Sequence, residues 1–299
     1  MRIPLPEPFD FDLTVGHQTH YRGRAGADLY DDGTYYRVLW RADRLLAAAA
    51  TPTGDGSLDV TLLNGGLPDD EAFAGERMAE LLGLDVDLGG FYGVLERDTV
   101  LAATVGNLRG LRPTRAESMF EALVQSIVAQ QISGVVARVI RDGLVRELGV
   151  SIAVGGHDLF AFPSPEAVLA AGIDGLKQLK LSARKAEYIH GIARDTLEGE
   201  LDPDRLSTMG DEEAIAELVG LRGVGRWTAE WVLMRALGRL DVLPAGDLAL
   251  RRTVSDLYFD GAGISIEGLA EFAQRWSPYR GLATTYLFAH LRRLRAGVA

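Results

Sequence analysis

ELVGLRGVGRWTAEWV, residues 217–232, holds three glycines within six residues and then two tryptophans four residues apart. A dinucleotide-binding fingerprint would need a strand before the turn, and a P-loop would need Lys-Ser/Thr after it. Neither is present, because the helical pattern DEEAIAELV precedes the turn and RWT follows it. The stretch predicts two helices joined by a tight turn, whose glycines tolerate positive φ and let a phosphate approach the amides that open the second helix. For the turn alone, a plain helical hairpin with a glycine cap is the alternative.

A single aspartate in the following segment, VLPAGDLALRR (residues 242–252), is the candidate for chemistry. Pro244 and Gly246 interrupt the chain, and Asp247 stands where a helix N-cap belongs. A carboxylate held rigidly at a helix start beside the glycine turn is well placed to act as an anionic catalyst. Capping alone is the alternative for an aspartate considered in isolation.

The net charge of −11 argues against a nucleic-acid partner, because phosphate contacts need lysine or arginine. The acidity is concentrated early, however: residues 1–100 carry 18 acidic and 8 basic side chains, whereas residues 101–299 carry 24 and 23. The later part of the chain can therefore carry a basic face. The chain has no cysteine, which excludes disulfides and a thiol nucleophile. Of the five histidines only His17 and His20 are close in sequence, so no metal site is expected from them.

Two different patterns divide the chain. Residues 34–66 are rich in aromatic and β-branched residues separated by the turn sequences TPTGDGS and NGG, which predicts antiparallel strands, and DDEAFAGERMAELLGL (residues 69–84) has helical spacing. Beyond LRGLRPTRAES one helical pattern follows another, beginning with a strongly helical stretch over residues 118–148. The predicted fold class is an α+β domain with an antiparallel sheet and helices at residues 1–105, followed by an all-α region at residues 106–299.

Four of these segments together resemble a known family. LVGLRGVGRWTAEWV, VLPAGDLALRR, FEALVQSIVAQQIS and LSARKAEYIHGIA match, in content and order, the helix-hairpin-helix, Gly/Pro-Asp superfamily of base-excision DNA glycosylases. Within it the chain most resembles the DNA-3-methyladenine glycosylase II type, which also places a small antiparallel-sheet domain first. Over residues 106–299 the resemblance rests on specific motifs, whereas over the first hundred residues it rests only on the order of the domains. It implies an all-α helix-hairpin-helix glycosylase domain at residues 106–299.

The resemblance implies hydrolysis without strand cleavage. Members that also cut the strand carry a lysine two residues after the second hairpin glycine, where this chain has Trp227, and the iron–sulfur cluster of many members needs cysteines that it lacks. The expected partner is double-stranded DNA containing alkylated purines such as 3-methyladenine or 7-methylguanine. Their positive charge weakens the glycosidic bond, and Asp247 would stabilise the resulting sugar cation and orient the attacking water without a cofactor.

The resemblance also implies a pocket for a base flipped out of the duplex. Trp227 and Trp231 lie at i and i+4 on one helix face, and Phe288 falls where relatives place another aromatic. Electron-rich rings attract a cationic base through cation–π interactions. Packing in the core is the alternative for all three rings.

Contacts to the DNA backbone follow from the same resemblance. Gln131 aligns with the side chain that fills the gap left by the flipped nucleotide, although the best-known bacterial type has an apolar residue there. The expected neighbours of phosphate are the hairpin amides and nearby basic side chains, namely Gly223, Gly225, Arg226, Arg184 and Lys185. A structural Na⁺ or K⁺ is expected at the main-chain carbonyls of Val219, Leu221 and Val224.

Two other functions stay open. A glycosylase for oxidised or deaminated purines such as 8-oxoguanine or hypoxanthine would share the fold, whereas a non-catalytic helix-hairpin-helix DNA-binding protein would have no need of Asp247. The first residues, MRIPLPEPFDFD, are unlike a secretory signal, and no apolar run approaches the ~20 residues of a membrane span. We expect a monomer without membrane association, cytoplasmic and, in a bacterium, associated with the nucleoid.

Overall fold

An antiparallel sheet opens the chain in the computed structural model, which describes residues 1–297. Its strands are β1 (Arg2–Pro4), β2 (Arg24–Ala25), β3 (Asp28–Asp31), β4 (Thr34–Arg41), β5 (Arg44–Thr53) and β6 (Ser57–Leu62). They are ordered β1-β6-β5-β4-β3-β2, and β4 pairs with β5 from Tyr35↔Ala50 to Arg41↔Arg44. The predicted strands and turns of residues 34–66 are confirmed.

Helices follow the sheet almost to the end of the described chain. They are α1 (Phe11–Gln18), which lies between β1 and β2, α2 (Asp70–Leu81), α3 (Gly89–Leu95), α4 (Thr99–Val105), α5 (Met119–Ala129), α6 (Gly134–Leu148), α7 (Pro165–Gln178), α8 (Ala183–Leu197), α9 (Pro203–Thr208), α10 (Asp211–Val219), α11 (Arg226–Ala236), α12 (Leu248–Tyr258), α13 (Ile266–Phe272) and α14 (Arg280–Ala296). Single 3₁₀ turns lie at Gly106–Leu108 and Ala273–Trp276. The predicted fold class is confirmed.

The strongly helical stretch over residues 118–148 forms two helices, because the chain turns between α5 and α6. Gln131 adopts a φ of +55°, and the Ser133 side chain accepts a hydrogen bond from the Val136 amide to cap α6. Good helix formers on both sides hide the break, and the capping serine was the signal for it. The turn leaves Gln131 exposed and Gln130 half-buried between the two helices.

A short β-hairpin interrupts the helical region, which the sequence analysis did not anticipate. Strands β7 (Ser151–Val154) and β8 (His157–Phe160) pair across Gly155 and Gly156, both of which have positive φ, as a two-residue hairpin turn requires. Leu159 and Ala161 pack in one cluster with Leu29, Val38 and Ala47 of the first sheet. The hairpin therefore attaches the helical region to that sheet.

Two apolar cores organise the helices. The first is built mainly from α5, α6, α8, α10 and α11, and the second from α3, α4, α12, α13 and α14. Phe91 of α3 and Leu101 of α4 belong to the second core although they precede residue 105. The division of the chain at residue 105 stays a prediction.

Close packing fixes the start of α14, the last helix of the second core. Gly281 donates a backbone hydrogen bond to the Leu240 carbonyl at 2.8 Å, and a Cβ there would lie 2.8 Å from the Val242 oxygen. Only glycine lets these two backbones approach so closely.

Within residues 1–297 no helix has the length and apolar character that a membrane span requires. The same part of the chain contains no group of three or more His, Cys, Asp or Glu side chains arranged to hold a metal ion.

Candidate active site and DNA-binding turn

The glycine turn lies between α10 and α11, as the sequence predicts. Gly223 has a φ of +93°, and a Cβ there would lie 2.3 Å from Cγ of Tyr188, so both backbone conformation and space require glycine. Gly225 differs: its φ is −94°, and a Cβ would meet nothing within 4 Å. The first glycine shapes the turn, and the second leaves the amides at the start of α11 open to a ligand.

Gln130 holds the turn from the end of α5. Its Nε2 donates to the Gly223 carbonyl and to Thr228 Oγ1, both at 2.9 Å. The sequence analysis missed this residue and singled out its neighbour Gln131, which is exposed. A glutamine pair shortly before a capping serine was the available signal, but nothing in the spacing connected it with the glycine turn.

Lys185 reinforces the same junction from the start of α8. Its Nζ donates to the carbonyls of Val128, at 2.8 Å, and Gln130, at 2.6 Å, and so satisfies groups at the end of α5. Burial lowers the pKa of this ammonium group. The structure thus places Lys185 at a helix end, while its neighbour Arg184 is exposed. Their contacts with phosphate stay predictions.

Asp247 uses its two carboxylate oxygens for different partners. Oδ1 accepts hydrogen bonds from the amides of Ala249 and Leu250, at 2.9 and 3.0 Å, and so caps α12. Oδ2 accepts one from Nε1 of Trp227, at 2.8 Å. Asp247 therefore does cap α12, but the cap uses only one of its two carboxylate oxygens. The other fixes the half-buried carboxylate against the helix that carries the tryptophans.

Three aromatic rings, those of Trp227, Trp231 and Phe288, lie in a row that begins beside this carboxylate. The Trp227 and Trp231 centroids lie 6.3 Å apart, and those of Trp231 and Phe288 lie 5.5 Å apart, both edge-to-face. Trp231 packs on the first core and Phe288 on the second, so the site lies where the two cores meet. Trp231 Nε1 is buried without a hydrogen-bond partner among the described residues. An unsatisfied buried donor at this point is available to a ligand.

Arg226, at the start of α11, is already paired. It binds Glu212 at 2.6 Å and Glu230 at 2.9 Å, although 58 % of its side chain is exposed. Burial raises the pKa of Glu230 to about 7. A phosphate at Arg226 would have to compete with these two carboxylates, and the predicted contact stays a prediction.

The carbonyls expected to hold a monovalent cation surround the turn. The Leu221 carbonyl accepts a hydrogen bond from the Val224 amide at 3.1 Å, which leaves it a second lone pair. Val219 ends α10, at the other side of the turn. The cation-binding roles of Val219, Leu221 and Val224 stay predictions.

Comparison with known proteins places this geometry in a family. Residues 124–278 match the model of the HhH-GPD superfamily of base excision DNA repair proteins, and the match contains the turn, the tryptophans and Asp247. The chain belongs to this superfamily. The predicted superfamily and the predicted place in base excision repair are confirmed.

Individual members of the superfamily match most of the chain. It is similar to a solved structure of a 3-methyladenine DNA glycosylase from Archaeoglobus fulgidus, with 32% identity, a TM-score of 0.85 and coverage of 98% of this chain and 99% of that one. A DNA-3-methyladenine glycosylase of Bacillus subtilis is 28% identical over 289 residues, 96% of this chain and 95% of the relative. A Schizosaccharomyces pombe 3-methyladenine DNA glycosylase, solved in complex with abasic DNA, is 26% identical with a TM-score of 0.54, covering 71% of this chain and 95% of that one.

Proposed function

We propose that the protein is a monofunctional DNA glycosylase that hydrolyses the N-glycosidic bond of alkylated purines in double-stranded DNA, such as 3-methyladenine and 7-methylguanine. The observation that carries the proposal is the hydrogen bond from the Trp227 indole to Asp247 Oδ2, which joins a carboxylate to a row of aromatic rings. The names of relatives that match nearly the whole chain support the substrate class.

The arrangement suits a reaction in which the base leaves first. When the bond from C1′ to the base nitrogen breaks, its electron pair goes to the base, and a cationic lesion leaves as a neutral molecule. The sugar becomes an oxocarbenium-like cation, which the Asp247 carboxylate stabilises. Water then attacks C1′ and loses its proton, with Asp247 as the acceptor. Trp227 orients the carboxylate through its hydrogen bond, and Trp231 and Phe288 stack against the lesion.

The absence of lyase activity is part of the proposal. Strand cleavage in this superfamily would need an amine at the position of Trp227, and an indole nitrogen cannot form a Schiff base. Lys185 is held at the carbonyls of Val128 and Gln130. We therefore expect no covalent adduct when the protein is incubated with damaged DNA and sodium borohydride.

DNA binding is proposed at the glycine turn. The amides that open α11 beside Gly225 are unobstructed, and contacts from backbone amides to phosphate are independent of sequence, as a protein that searches any DNA requires. Gln131, exposed between α5 and α6, is the proposed residue that fills the gap left by the flipped nucleotide. We further propose a cytoplasmic monomer.

Asp247→Asn tests the mechanism without removing the cap. Asparagine caps helices as well as aspartate does, but with its oxygen on the amides of Ala249 and Leu250 its NH₂ group faces the Trp227 indole, so the charge and the Trp227 hydrogen bond are lost together. We expect release of 3-methyladenine and 7-methylguanine from methylated duplex DNA to fall by about 1000-fold, the scale of a removed transition-state charge. Asp202→Asn is the matched control, because Asp202 caps α9 in the same way away from the site.

Two results would contradict the proposal. If wild type releases neither base, the substrate class is wrong, and a non-catalytic DNA-binding protein becomes the better interpretation if duplex binding persists. If Asp247→Asn releases base as fast as the Asp202→Asn control, the carboxylate does not take part in the reaction.

A further inference from the structure

The end of α1 contacts α11, the helix that carries two of the aromatic rings. Arg235 lies in the last turn of α11, four residues after Trp231. Its Nη2 donates to Oε1 of Gln18 at 2.7 Å, and its Nη1 donates to Thr114 Oγ1 at 3.2 Å. Because both ends of the rigid guanidinium fork are engaged, the end of α11 is fixed relative to α1.

The side-chain amide of Gln18 can adopt only one orientation. Its Nε2 donates to Asp28 Oδ2 at 3.0 Å, and its Oε1 accepts from Thr114 Oγ1 at 2.7 Å as well as from Arg235. Asp28, on β3, forms an ion pair with Arg37 at 3.0 Å. Since an ionised carboxylate only accepts hydrogen bonds, the NH₂ group of Gln18 must face Asp28 and its oxygen must face Arg235. The first sheet therefore determines how Gln18 meets α11.

The same end of α1 contacts α14, which carries Phe288. Arg292 lies four residues after Phe288, and its Nη1 donates to the His17 carbonyl at 2.8 Å. The carbonyls at a helix C-terminus carry partial negative charge, so a cation is a favourable partner there. Because His17 and Gln18 are consecutive residues, one short segment of α1 is bonded to both ring-bearing helices.

α1 is itself packed between the first sheet and the helices. Phe11 and Val15 belong to one apolar cluster with Tyr35 and Leu39 of β4. Leu13, from another face of α1, belongs to the second apolar core. The position of α1 is therefore set by the sheet on one side and by a helical core on the other.

The two rings that α1 connects rest on different cores. Trp231 packs on the first core and Phe288 on the second, so neither core alone fixes their separation of 5.5 Å. A binding site needs its side chains held to within about 0.5 Å by the groups around them. The hydrogen bonds from α1 to both helices supply a constraint of this kind.

We infer that the end of α1 sets the relative position of Trp231 and Phe288, and that the first sheet thereby governs how tightly the protein holds a flipped base. Gln18 is a positioning residue, because it acts through Arg235 and α11 rather than on the substrate. The inference rests on the proposed glycosylase function and assigns a role in it to the N-terminal part of the chain.

Gln18→Met is the variant that tests this role. Methionine has a similar length but cannot accept the hydrogen bond, so Arg235 keeps only Thr114. The protein concentration that gives half-maximal single-turnover release of 7-methylguanine should rise by about 5-fold, the scale of a weakened aromatic contact. The rate at saturation should change by less than about 3-fold, because the variant weakens binding without touching Asp247. Affinity for undamaged duplex should be unchanged.

Two further substitutions sharpen the test. Arg24→Met is the matched control, because Arg24 donates to the Asp158 carbonyl at 2.7 Å and joins the first sheet to the β7–β8 hairpin, which carries none of the three rings. It should leave the half-maximal concentration unchanged. Arg292→Met should act like Gln18→Met, and Arg292→Lys, which keeps a donor for the His17 carbonyl, should restore most of the affinity.

Two kinetic results would overturn the inference and leave the proposed function standing. The first is an Arg24→Met variant that weakens binding of the damaged duplex as much as Gln18→Met does. The second is a Gln18→Met variant with an unchanged half-maximal concentration. If Gln18→Met does not fold, Arg235→Lys takes its place with the same expected result, because lysine keeps the charge but cannot bond Gln18 and Thr114 as a fork.

If wild type releases no base, the proposed function fails, and fluorine NMR decides the inference. Labelling the four tryptophans with 5-fluorotryptophan gives each ring its own resonance, which single Trp→Phe substitutions assign. In Gln18→Met the Trp231 resonance should shift, because the ring moves relative to Phe288, whereas the resonance of Trp276, buried in the second core, should not. An unmoved Trp231 resonance, or equal shifts of all four, would overturn the inference.

Discussion

The last two glycines of the turn, Gly223 and Gly225, should respond very differently to the same substitution. In Gly223→Ala the new residue must hold a φ of +93°, which costs about 1–2 kcal/mol for a residue with a Cβ. Its methyl group would also lie 2.3 Å from Cγ of Tyr188, and relief of such an overlap costs about 1–3 kcal/mol more. We expect the free energy of unfolding to fall by about 3 kcal/mol.

Gly225→Ala meets neither obstacle, because its φ is −94° and a Cβ there meets nothing within 4 Å. Gly225 is the N-cap of α11, where glycine is preferred over alanine, so its stability should fall by no more than about 1 kcal/mol. The methyl group would instead occupy open space at the start of α11, where phosphate binding is proposed. We therefore expect weaker binding of undamaged duplex DNA with little loss of stability.

Urea unfolding and fluorescence anisotropy with a labelled duplex measure the two effects. A double-mutant cycle with Tyr188→Ala separates the two costs at Gly223: without the ring, Gly223→Ala should cost only the backbone strain of about 1–2 kcal/mol. A Gly223→Ala variant as stable as wild type would refute the reasoning about the turn. Wild-type DNA affinity in Gly225→Ala would refute the proposed phosphate contact.

Three further predictions concern Asp247, Gln130 and the buried carboxyl of Glu117. Asp247→Ala loses the cap of α12 and leaves the Trp227 indole without its acceptor, so urea unfolding should show a loss of about 2 kcal/mol, whereas Asp247→Asn keeps the cap and should lose only about 1 kcal/mol. Gln130→Ala removes both hydrogen bonds from Gln130 to the hairpin. Backbone amides around Gly223 should then exchange with deuterium at least about 5-fold faster, which is equivalent to about 1 kcal/mol. Unchanged exchange would contradict the role of Gln130 in holding the turn. Burial raises the pKa of Glu117 from 4.5 to about 7, so the folded state binds the Glu117 proton more tightly than the unfolded chain does. The stability that this tighter binding adds is lost as pH rises from about 4.5 to 7. Glu117→Gln should flatten that part of the stability curve, and an unchanged slope would show that Glu117 does not titrate in this range.

Features encoded by residues close in the sequence were predictable. The turn chemistry of residues 220–225 and the spacing of Trp227 and Trp231 specify the hairpin and the face of α11 within one short segment. Asp247 was predictable as a cap because Pro244 and Gly246 interrupt the chain before it. Phe288 required the family resemblance, because no local pattern connects α14 with α11.

Features assembled from distant segments could not be predicted. Arg235 of α11 donates to Oε1 of Gln18 in α1 at 2.7 Å, and nothing in the local sequence of either residue indicates the other. Gln130 is similar: its two partners lie in another helical hairpin, and the sequence analysis chose the neighbouring glutamine. The β7–β8 hairpin was readable from its glycine pair and was missed because helical patterns surround it.

The position of the aromatic pair has a consequence for how the protein responds to random mutation. Trp231 packs on one core and Phe288 on the other, so the relative position of the two rings depends on how the two cores pack against each other. A substitution deep in either core can therefore shift one ring relative to the other while the protein remains folded. Changes in which damaged bases are accepted should therefore arise at residues that never touch DNA, and thermal stability alone would not reveal them.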